Sequence, residues 1–259
     1  MDDARIYRWS GAAGLVSIGL FLIEFPIYFL RGPMPSLTAP NLSAYSARNA
    51  QNMLTVVFLD MVIYCLFLIF LSGVQHFIQR TRPGGEFLGR ARFGAGLVYT
   101  ALTLLADSFE GAVALDARTG SPDASVIRAL MESQYLLFGS IGLILMALLL
   151  AAFGWACTGQ GGFPRWTAGL GIAGAILCLA FVPSMFVGAP DLTAFYNPAG
   201  WGTTGVIAGF PLAAWTIAAS ILLMRRGRET SPPLHLRDWP GHLGPEEDHN
   251  RKSRNSLSM

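Results

Sequence analysis

Six runs of predominantly apolar residues punctuate the chain, each long enough that a lipid bilayer is the natural place to bury it. A helix rising about 1.5 Å per residue needs roughly 20 residues to cross a hydrocarbon core of about 30 Å. The runs are Gly11 to Leu30, Met53 to Phe77, Phe93 to Leu115, Leu130 to Ala156, Trp166 to Val187 and Gly202 to Met224. Apolar residues make up 53% of the 259 residues and charged residues 13%, a balance that speaks against a water-facing globule. The expected fold is all-α: a polytopic six-helix transmembrane bundle over residues 1–226. The polar tail, residues 227–259, has too few apolar residues to fold alone and is expected to be disordered. Pro26, Pro183 and Pro211 fall within the runs and read as kinks, which membrane helices tolerate when neighbours satisfy the freed backbone groups.

Orientation follows from the Lys and Arg residues, because positively charged loops are retained in the cytoplasm. Fourteen lie on the side of the two termini: Arg5, Arg8, Arg80, Arg82, Arg90, Arg92, Arg165 and seven in the tail. Only four, Arg31, Arg48, Arg118 and Arg128, lie on the other. Both termini are therefore expected in the cytoplasm, with the chain in the inner (plasma) membrane and lipid as its partner. Trp9, Trp155 and Trp166 fall at the expected cytoplasmic interface and Trp201 at the outer one, where an amphipathic ring sits best. The first run has no small-residue cleavage site and reads as a retained anchor.

Several classes of function find no support. A net charge of +2, without basic patches interleaved with aromatics, gives no footing for nucleic acid. Cys65, Cys157 and Cys178 lie on three different helices without paired spacing, so neither a disulfide framework nor a thiolate metal site is expected. The histidines are His76, at a helix end, and His235, His242 and His249 in the tail, which leaves the membrane interior without imidazole for zinc, haem or a relay. No cofactor is expected.

The passage Gly162-Phe163-Pro164-Arg165-Trp166, followed by Gly169, Gly171, Gly174 and Ala175, resembles a family of uncharacterised six-helix bacterial membrane proteins. In that family a Pro-Arg-Trp turn leads into a small-residue helix near the same position. Val74-Gln75-His76-Phe77 and Gly120-Ser121-Pro122-Asp123 are also similar to it. The resemblance covers about residues 54–223 and implies a six-helix fold without a transferable activity.

Acids inside the spans carry the functional signal, since a charge near mid-bilayer costs roughly 2.5 to 3.5 kcal/mol on insertion scales. Glu24, Asp60, Asp107, Glu110 and Glu132 belong to four helices, and none of the spans carries a Lys or Arg well inside it. Residues spaced by 3, 4 or 7 share a helix face. On that rule Ser10, Gly14, Ser17, Glu24, Tyr28 and Arg31 form one stripe; Asn49, Asn52, Asp60 and Tyr64 a second; Tyr99, Thr103, Asp107 and Glu110 a third; Glu132, Tyr135, Gly139 and Gly142 a fourth. Such stripes are tolerated in lipid when they face one another or a wet cavity. They predict a polar pocket of Glu24, Asp60, Asp107, Glu110, Glu132, Tyr28, Tyr64 and Tyr99, open to the outside and roofed by the fifth loop, Gly188 to Trp201, with the first loop contributing. The last two helices are expected to serve as packing partners.

Three functions fit that pattern. The pocket can bind or move a proton, a cation held by oxygen ligands, or a small ligand. A carboxyl withdrawn from water favours its neutral form and can serve as a general acid on a hydrophobic, isoprenoid-like substrate. Intramembrane acids can also act only as hydrogen-bonded glue between helices of a scaffold or partner-binding protein.

Overall fold

Helix is the only regular structure among the described residues, 2–81, 86–119, 123–157 and 163–229 of a computed structural model. Helix α1 (Asp3–Leu30) starts where the Asp2 carboxylate accepts the Ala4 N–H at 3.4 Å, satisfying one of the donors a helix N-terminus leaves unpaired. It passes through Pro26 without a break and ends at Arg31 and Gly32. At Gly32 the backbone enters the left-handed region, with φ +69°, which a residue without Cβ adopts freely.

Helix α2 (Leu42–Thr81) has 40 residues, about 60 Å at the α-helical rise, twice what a bilayer core requires. Its first turns stand beyond the apolar span predicted from Met53. Helix α3 (Glu86–Asp116) likewise starts earlier than predicted, which moves Arg92 from the second loop into a helix, where it is fully buried and donates to Gln75 Oε1 at 2.9 Å. The fourth span is broken: α4 (Ala124–Leu136) runs through a π-helical turn (Leu137–Ile141) into α5 (Gly142–Cys157). Helix α6 (Arg165–Phe181) follows Pro164 and ends in a 3-10 turn (Val182–Phe186) that contains Pro183. The sixth span opens with a π-helical turn (Gly202–Ile207) before α7 (Phe210–Glu229).

Six of these helical stretches are long and apolar enough to cross a membrane. Their outward faces carry large apolar side chains such as Val16, Leu22, Phe29, Phe58, Ile69, Ile176 and Phe186, all well exposed. A surface of that kind suits lipid, not water. Trp9, Trp155, Trp166 and Trp201 also point outward.

Each span packs on the next in sequence, and α7 returns to α1, so the six close into a ring. At its centre Trp215 of α7 is fully buried, with ring centroids 5.4 Å from Phe70 of α2 and 4.9 Å from Phe153 of α5. The last helix is thus a packing partner, as expected, and its Trp215 lies at the centre of the core. The Phe163-Pro164 corner has a packing reason too: Phe163 stacks edge-on against Phe77 at 4.6 Å and Phe153 at 5.3 Å. Gly227 packs on Ala4 and Arg8, so α7 runs three residues past the predicted end of the bundle and both described chain ends share one face, called here the terminal face. The predicted disordered tail lies outside the described residues from position 230 onward.

A second, smaller apolar core covers the opposite, far face. Leu37 of the first loop meets Leu42, Ala50 and Met53 of α2, Val113 and Ala114 of α3, and Ile127 and Met131 of α4.

Candidate functional site: a buried acid cluster

Between the two apolar cores, α1, α2 and α3 bring Glu24, Asp60, Asp107 and Glu110 together, each at most 9% exposed. The Glu24 and Asp60 carboxyls lie within electrostatic reach of each other. Asp107 lies within electrostatic reach of Asp60 and Glu110. Glu24 Oε1 and Asp107 Oδ2 are buried without a hydrogen-bond partner.

Glu110 differs from the other three. Arg31 Nη1 reaches its Oε1 at 2.6 Å, with both side chains nearly buried, and Gln134 Nε2 donates to its Oε2 at 2.7 Å. Arg31 also donates to the Asn52 carbonyl at 3.3 Å and lies over the Tyr28 ring, 4.4 Å from its centroid. Sequence reasoning placed Arg31 among the outer loop charges. The α1 stripe from Glu24 through Tyr28 to Arg31 already pointed it at the cluster.

Glu132 does not join the cluster. It pairs with Arg128 at 2.7 Å on the partly exposed side of α4, an i,i+4 pair typical of a solvated face. The inward face of α4 is Ile127, Met131 and Gln134, at steps of 4 and 3, so the span offers an amide where an acid was expected. Tyr28 is 45% exposed beside the cluster, while Tyr64, one turn from Asp60, and Tyr99, two turns from Asp107, are buried nearer the terminal face. Their rings meet edge-on, with centroids 6.3 Å apart.

The predicted roof is also corrected. The first loop covers the cluster: besides Arg31, the Gly32 carbonyl accepts from Tyr45 Oη at 3.4 Å, Met34 Sδ from Tyr135 Oη at 3.2 Å, and Leu37 plugs the far-face core. The fifth loop sits instead over the broken part of the fourth span. Its centre is Asn197, which accepts from the Asp191 N–H at 2.9 Å and the Ala199 N–H at 3.1 Å, and donates to the Ala189 carbonyl at 3.0 Å. In the same loop Asp191 accepts from both the hydroxyl and the N–H of Thr193, which holds its carboxyl below the usual range.

One small space lies below the cluster, lined by none of the four acids. A cavity of about 40 Å³ lies toward the terminal face, bounded by Ser17 and Phe21 of α1, Tyr64 of α2, Tyr99 of α3 and Thr216 of α7. That is room for a water or two. Among the described residues, no three acids, histidines or cysteines converge so as to hold a metal ion.

Fold and surface define a multi-pass helical membrane protein with a buried, acid-rich interior. Comparison with family models, curated proteins and solved structures finds no match to this chain.

Proposed function

We propose that the protein binds and exchanges protons at this cluster, in a membrane orientation that keeps both termini cytoplasmic. The observation that carries the reading is the charge imbalance: four buried carboxyls face one guanidinium, and that guanidinium is committed to Glu110. Like charges buried together away from water repel one another, so protons are the natural counter-charge for Glu24, Asp60 and Asp107. The orphaned Glu24 and Asp107 oxygens leave sites where such protons can be gained or lost.

The size of the space below the cluster favours this reading over the enzyme alternative. Pockets for organic ligands are usually about 300–1,000 Å³, many times the volume beside Tyr64 and Tyr99. An isoprenoid chain has no place there, whereas water does.

Infrared spectroscopy of the purified protein in lipid nanodiscs tests the proposal. A carboxylic-acid C=O band is expected at neutral pH, shifting on transfer to deuterated buffer and losing intensity in Asp60→Asn and Glu24→Gln. Absence of an exchangeable carboxylic-acid band would sink it. The same variants decide against a glue-only role if they unfold at the wild-type temperature.

A further inference from the structure

Below the cluster, toward the terminal face, α1 carries a second set of polar residues that the acid cluster does not use. Ser17, Ser10 and Tyr7 follow Glu24 along one buried face at steps of 7, 7 and 3. Helix α7 adds Thr216 and Ser220 on the facing side, both fully buried, and neither hydroxyl has a hydrogen-bond partner. Polar atoms buried so completely without partners call for water or for one another. Thr216 and Ser17 border the water-sized cavity together with Tyr64 and Tyr99. One turn further, Gly14 leaves room for the Ser220 hydroxyl against the α1 backbone, and Gly73 does the same for Ser10. Three residues along α2 from Gly73 stands His76, whose Nε2 lies 2.9 Å from Asp3 Oδ1.

We infer that these groups form a proton path linking the acid cluster to the terminal face, running from Asp60 past Tyr64 and the cavity water to Thr216, Ser220 and Ser10, and ending at the His76–Asp3 pair. The inference rests on the proton-exchange reading of the cluster. In the inward direction an N–H bond of the His76 imidazolium breaks, each hydroxyl or water accepts one proton and passes on another, and an O–H bond forms on a vacated carboxylate. The relay groups end uncharged, and His76 is reprotonated from solvent, which its 29% side-chain exposure permits. The groups facing His76 are Asp3 and Tyr7 of α1, and Arg80 of α2 stands 3.7 Å from Asp3. Toward the far face the cluster meets the Arg31–Glu110 pair and the apolar core around Leu37.

Time-resolved deuterium exchange of the carboxylic-acid infrared band, on the full chain in nanodiscs, tests the path. The double variant Thr216→Val, Ser220→Ala removes two hydroxyls without adding bulk and is expected to slow exchange at least tenfold. Thr216→Ser keeps the hydroxyl and is expected to exchange at the wild-type rate. Wild-type exchange in a folded double variant would overturn the path while leaving the cluster reading in place. Should that variant fail to fold, the near-isosteric Thr216→Val alone carries the same test, with the same two outcomes. If the wild type shows no exchangeable band, the cluster reading falls and takes the path with it.

Discussion

Removing the Arg31 guanidinium leaves Glu110 buried with Gln134 as its remaining side-chain partner, and breaking one half of a buried ion pair typically costs about 3–5 kcal/mol. Arg31→Gln is expected to lower the unfolding temperature in detergent markedly, whereas Arg31→Met with Glu110→Met recovers most of the loss; equal stability of single and double variants would show the pair to be inert. Asp123 gives a pH-dependent counterpart on the far-face surface. Its carboxylate accepts from the Ser125 hydroxyl at 2.6 Å and the Ser125 N–H at 2.8 Å, which holds its pKa below the usual value. A depressed carboxyl contributes its stabilisation above its unfolded pKa and loses it as pH falls through the folded one. Amide exchange at the start of α4, corrected for the intrinsic pH dependence, should therefore show less protection as the buffer is taken below about pH 4, where ordinary Asp side chains titrate. At this scale the acids Glu24, Asp60, Asp107 and Glu110 were readable because a charge in an apolar run demands a reason. Arg31 was readable only as the end of the α1 stripe, since it stands past the last apolar residue of its run, and Gln134 was not, because it is uncharged and carries no such penalty signal.

Among the helices, the fourth span shows what hydropathy does not report. Its apolar run is continuous and contains no proline, yet Gly139 has ψ −105° and the chain passes through a π-helical turn. The cause is tertiary: a Cβ on Gly139 would stand 3.0 Å from the Pro198 carbonyl of the fifth loop. Gly139→Ala is expected to destabilise by about 1–3 kcal/mol, the usual range for overpacking, measured by thermal unfolding. Asn197→Ala strips the same loop of its organising amide, orphaning backbone groups worth about 1–3 kcal/mol each. Because the first loop, not the fifth, covers the acids, Asn197→Ala should leave the exchangeable carboxyl band unchanged; a lost band would restore the fifth loop as the roof. The helix ends were missed for a related reason. The early turns of α2 bury Leu42 and Ala50 in a cluster with Leu37, Val113 and Ile127, partners no local pattern reveals.

For the molecule as a whole, ring closure makes α7 the element on which the rest depends. Trp215→Ala should cost about 3–5 kcal/mol, read as a fall in unfolding temperature, although the residue is remote from the acids. Reporters fused after Glu229 and inserted near Ala194 should report opposite sides, cytoplasmic for the first; the reverse would invert the orientation but not the ring. The six spans were evident from apolar length alone, while their neighbour order was not, because lipid-facing and core-facing apolar residues look alike in composition. One property of the ring reaches further. The π-helical turn of the fourth span touches both the 3-10 turn ending the fifth and the π-helical turn opening the sixth. Three neighbouring rods are thus jointed at a common level, while α1 and α2 run past it as unbroken struts. A bundle built this way yields unevenly under load: spans four to six can flex at that plane, and the acids, held mainly by the struts and α3, keep their spacing while the wall beside them moves.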